Sequence, residues 1–108
     1  MGRLVNEQGK ALPEQVLGRQ LLEAGSAVGA NYRAARRSRS KREFVARLGV
    51  VLEESDESVF WFELLATDPV RSSPESNALL QEARELRAIF SASLRTAKSR
   101  AQDAKLAP

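Results

Sequence analysis

Neither cysteine nor histidine occurs in this chain of 108 residues. Their absence excludes disulfides, thiol nucleophiles, Cys–His zinc sites and Ser–His triads. Only carboxylates, lysine and tyrosine remain as general acids or bases. Aromatic residues are scarce, at 6%, and those within the basic clusters, Phe44 and Phe90, fall on apolar stripes, so base stacking is not indicated. Long apolar runs are also missing. The densest stretch, Val59 to Ala66, is interrupted by Glu63 and is too short to cross a bilayer. Met1 to Glu7 carries no apolar core of a signal peptide. The expectation is a cytoplasmic chain with no membrane segment. No alternating apolar run flanked by turn residues appears, so strands are not expected.

What remains fits a helical protein. Hydrophobic residues make up 43% of the chain and charged residues 29%, enough for one small domain. The spacing predicts a short first-helix stub over residues 1–12 and three long helices over 13–37, 40–67 and 74–103. Pro13 suits a first helical turn. Leu17, Leu21, Ala24, Val28, Tyr32 and Ala35 then share one face. Gly18, Gly25 and Gly29 lie on one side of this segment, where a neighbouring backbone could approach closely, and Gly25-Ser26 is an alternative breaking point. Ser40-Lys41-Arg42-Glu43 reads as a capping box. Pro69 forbids continuation beyond Thr67. Ser73-Pro74-Glu75 supplies an N-cap, a first-turn proline and an acid at the positive helix end. Short connections then give an all-α, antiparallel up-and-down bundle.

The segment 40–67 has two apolar faces. Phe44, Leu48, Val51, Leu52, Val59, Phe62 and Ala66 form a core stripe. Ala46, Val50, Phe60, Trp61 and Leu64 form a second group on roughly the opposite side. Either this helix is buried on both sides within one subunit, or the second group is a subunit interface. The second reading is favoured, because such a patch in water is adhesive, and Val50, Phe60, Trp61 and Leu64 are its candidate residues. Glu53, Glu54, Asp56 and Glu57 sit mid-helix, either as a solvated face or as partners for arginines. Nothing else supports a metal site, a cofactor or carboxylate-pair catalysis, and no catalytic residue is assigned.

Charge is segregated beneath a net of only +3. Residues 33–47 hold seven basic side chains and one acid, whereas residues 48–82 hold one base and eight acids. The first cluster is Arg33, Arg36, Arg37, Arg39, Lys41, Arg42 and Arg47. A second line, Arg84, Arg87, Arg95 and Lys98, shares one face of the last helix. Both sets could meet phosphates, reading backbone and shape and no base sequence. They could equally neutralise the acids of segment 40–67.

From Gly18 to Leu65 the chain carries a set of landmarks. They are Gly18-Arg19-Gln20-Leu21-Leu22, Val28-Gly29-Ala30-Asn31-Tyr32-Arg33, Arg39-Ser40-Lys41 with Glu43-Phe44, and Asp56-Glu57 followed by Trp61 and Glu63-Leu64-Leu65. In these it resembles the four-helix-bundle family first noticed as proteins encoded by intervening sequences in bacterial large-subunit ribosomal RNA genes. The accessory proteins of diversity-generating retroelements look like relatives. The resemblance implies an antiparallel four-helix bundle, a homo-oligomeric ring of five subunits and no known enzymatic activity. It implies partners among nucleic acids or a reverse-transcriptase-like protein. Two departures stand out. Only residues 1–12 precede Pro13, so the first helix is shortened or truncated. Ala24-Gly25-Ser26-Ala27 replaces the family's Ser-Gly-Thr-Ser. The function expected is a non-enzymatic, homo-oligomeric bundle that binds RNA, DNA or a nucleic-acid enzyme through basic surfaces. The alternative is a structural or adaptor module for protein–protein interaction.

Overall fold

A computed structural model describes residues 14–106, and every regular element among them is helical. The expected stub over 1–12 lies outside the described residues. Three helices follow in order: α1 (Glu14–Arg36), α2 (Lys41–Thr67) and α3 (Pro74–Leu106).

Local chemistry fixes the ends. Ser40 has extended backbone angles and its hydroxyl accepts from the Glu43 amide at 3.0 Å, which caps α2. The Glu43 carboxylate does not complete a reciprocal box; it turns to Arg47, one turn on, at 2.8 Å. At the other end Asp68 precedes Pro69 and leaves the helix in an extended conformation. Its buried carboxylate accepts from the amides of Val70 and Arg71 and from the Arg71 guanidinium at 3.0 Å. Ser73 and Ser76 then cap α3 reciprocally. The Ser73 hydroxyl accepts from the Ser76 amide at 3.0 Å, and the Ser76 hydroxyl accepts from the Ser73 amide at 2.8 Å.

Helix α2 is central. Both α1 and α3 pack along it, while the backbones of α1 and α3 stay apart. Short turns make neighbours antiparallel. The predicted stripe of α2 supplies the core. Leu48, Val51 and Phe90 form one buried cluster, with Val28, Phe44, Leu52, Leu94 and Ala97 packed against it. Val59, Leu80 and Ala83 form a second, flanked by Phe62 and Ala66. Tyr32 reaches from α1 to Phe90 on α3, ring centroids 5.4 Å apart. Ser55 and Ser58 are buried among these residues, and Ser58 returns its hydroxyl proton to the Glu54 carbonyl at 3.1 Å.

The glycines of α1 lie on an open side of the helix. The helix is continuous through Gly25-Ser26. A Cβ placed on Gly18, Gly25 or Gly29 would meet nothing within 4 Å among the described residues. Two substitutions separate core from open surface. Leu48→Ala should lower stability by about 2–5 kcal/mol, read from the urea midpoint. Gly25→Ala should raise it by about 0.5–1 kcal/mol; a loss instead would mean that another backbone covers α1 in solution.

Candidate nucleic-acid interface

Antiparallel packing converts two basic stretches that are distant in sequence into neighbours. Helix α1 ends where α2 begins, and the last turns of α3 run back to the same end. The junction is tied by Arg47, whose guanidinium donates to the Ala34 carbonyl of α1 at 2.8 Å while also pairing with Glu43. Arg33, Arg36 and Arg37 line one shared recess. Arg42 and Val45 of α2 border a second with Lys98, Ala101 and Gln102 of α3. Lys41 and Phe44 face Thr96, Ala97 and Arg100 across a third. Residues 33–47 and 95–103 together carry ten basic and two acidic side chains, a local net of +8 on a chain whose total is +3. Arg33, Arg36, Arg37, Arg39, Lys41, Arg42, Arg95, Lys98 and Arg100 are all exposed there.

Stability alone does not ask for this arrangement. Arg33 and Arg36 complement the negative end of the α1 dipole. Lys41 and Arg42, however, sit in the first turn of α2, where the dipole disfavours cations and Glu43 is the only acid. Crowding like charges at one end also raises the repulsion within the folded chain.

The second basic line divides. Arg84 pairs with Glu63 of α2 at 3.3 Å and Arg87 with Asp56 at 2.7 Å. Both pairs are solvent-accessible, and they neutralise part of the acidic stretch. Arg95 and Lys98 lie nearer the basic end. Of the mid-helix acids, Glu53 and Glu57 are exposed and Glu54 is half-buried. Arg100 joins the basic end although no sequence signal marked it: it lies off the face defined by Arg84 and Arg87, and only the packing of α2 on α3 brings it opposite Lys41.

The second apolar face of α2 is partly covered. Val50 and Phe60 remain 42% and 52% exposed, whereas Trp61 and Leu64 are half-buried. Phe60 and Trp61 stack edge-to-face at 5.3 Å. The Trp61 indole N–H is buried without an acceptor among the described residues.

Comparison with known proteins adds one solved structure. The chain is similar to a protein of unknown function from the S23 ribosomal protein family of Bacteroides thetaiotaomicron. The TM-score is 0.67, at 27% identity over 84% of this chain and 81% of that one. No family model and no curated protein matches the sequence. The likeness covers most of the helical body and assigns no activity, since the neighbour's own function is unknown. No helix among the described residues is long and apolar enough to cross a membrane.

The pairs of Arg84 and Arg87 should act as surface salt bridges. Arg84→Gln and Arg87→Gln should each lower stability by less than about 1 kcal/mol at low salt, and the loss should vanish in high-salt melts.

Proposed function

We propose that this protein is a non-enzymatic, self-associating helical bundle that holds RNA or DNA by its phosphate backbone. The basic end supplies the contact: Arg33, Arg36, Arg37, Arg39, Lys41 and Arg42 with Lys98 and Arg100. The observation that carries this reading is the division of the arginines. Those opposite the acidic stretch pair with it, and those at the junction of α1, α2 and α3 crowd together facing solvent, at a cost that a polyanion would repay. A nucleic-acid enzyme, such as a reverse-transcriptase-like protein, would meet the same surface when it carries its template.

Self-association is the second part. Phe60 and Val50 leave an apolar patch on α2, flanked by Trp61 with its buried, unanswered N–H, and a second copy of the chain would cover it. A closed ring, of five subunits in the family the chain resembles, would repeat the basic end and multiply weak contacts. We place the chain with the ribosomal-RNA intervening-sequence family and its retroelement relatives on the landmarks around Gly18 to Leu65. In that frame α1, α2 and α3 are three members of a four-helix bundle. The separation of the α1 and α3 backbones supports this, because opposite members of such a bundle meet only through side chains across the core, as Tyr32 and Phe90 do.

A filter-binding titration tests the nucleic-acid reading. Single-stranded or duplex oligonucleotide should be retained at about 50 mM salt and lost steeply on the way to about 200 mM. The triple change Arg36→Gln, Arg37→Gln, Lys98→Gln should abolish retention, while Arg84→Gln with Arg87→Gln should reduce it far less. Wild type that retains no nucleic acid, but still captures a protein partner through Phe60, would establish the adaptor alternative. Light scattering should give a mass several times 11.9 kDa, and Phe60→Glu should reduce it towards a single chain.

A further inference from the structure

We propose that the cleft between the start of α2 and the last turns of α3 receives an unpaired base of a single-stranded nucleic acid. This rests on the nucleic-acid reading above and adds the form of nucleic acid that the basic end prefers.

The cleft has a volume of about 470 Å³ and lies inside the cluster of cations. Its make-up changes with depth. Phe44 is half-buried, braced against the Leu48, Val51 and Phe90 cluster, and still lines the opening. Opposite it, α3 presents Ser93, Thr96 and Ala97, whereas elsewhere along α2 the same helix presents Leu80, Phe90 and Leu94. Leu80, Phe90 and Leu94 help close the rest of the α2–α3 seam, and the small side chains here leave room beside the aromatic ring. Two hydroxyls on that wall can donate or accept, which suits the mixed edge of a nucleobase. Lys41 and Arg100 stand at the rim, placed for the phosphates on either side of an inserted base.

This combination separates a single strand from a duplex. In a duplex the base faces are stacked on one another and cannot lie against Phe44. A single strand can place one base on the ring while its backbone crosses the surrounding arginines. Phe44 stands between Arg42 and Arg47 in the sequence, but its helical spacing marks it for the core, which is why stacking is not legible there. Phe44 belongs to the core stripe, and only the smallness of the facing α3 residues opens it to a ligand.

The test is fluorescence anisotropy with a labelled oligonucleotide of about a dozen nucleotides, within the span of one single-strand-binding domain, and with its duplex. At equal salt the single strand should bind about tenfold more tightly. Phe44→Leu should remove about that factor for the single strand and leave duplex binding and salt dependence unchanged. Ser93→Leu fills the cleft from the exposed surface of α3 without altering charge, and should do the same even if Phe44→Leu weakens the fold. Lys41→Gln should instead flatten the salt slope by about 0.7. A duplex that binds as well as the single strand, or wild-type affinity in folded Ser93→Leu, overturns the cleft and leaves the electrostatic reading intact. Failure of wild type to bind either form would remove both.

Discussion

The packing of α2 against two antiparallel neighbours is the constraint on which the rest depends. Leu48, Val51 and Val59 are its fully buried large side chains, and they interlock with two stretches of α3: Phe90, Leu94 and Ala97 from its middle onward, and Leu80 and Ala83 nearer its start. Because dense packing fixes register to within a turn, the partners along the rest of the seam follow. Asp56 meets Arg87, Glu63 meets Arg84, and the start of α2 meets the residues around Ala97 and Arg100. The ion pairs decorate this register and contribute little to holding it.

From that register comes an uneven charge distribution. The acids of α2 lie along its middle and draw Arg84 and Arg87 towards them. The basic residues that flank the α1–α2 turn have one acid among them, Glu43, and it is taken by Arg47. Such a distribution gives a field that is strong at one end despite a small net charge. The proposed function rests on where the charge is gathered. The same helix that carries the acids also carries Phe60 and Val50 outward, which leaves its second face open for the proposed self-association.

Much of this was readable before the fold was known, because the signals are local. Ser40 and Pro69 mark the ends of α2 through capping and proline sterics, and the 3.6-residue period identifies its core stripe. The acids and arginines were visible as clusters with two possible partners each. Choosing between them requires the offset between helices, since Arg84 and Glu63 are 21 residues apart and Arg87 and Asp56 are 31 apart. Arg100 was invisible as a site residue for the same reason. The spacing of the α1 glycines puts them on one side, and no neighbour among the described residues comes to that side. The outward apolar face was legible as apolar; its partial cover at Trp61 and Leu64 was not.

Titrating the isotopically labelled protein with a short single-stranded oligonucleotide, followed by amide chemical shifts, tests the convergence of the two basic stretches most directly. The account predicts that residues 33–44 and 95–101 shift together along a single binding curve, while the amides around Arg84 and Arg87 stay in place. Shifts centred on Arg84 and Arg87, or confined to one stretch with the other silent, would contradict it.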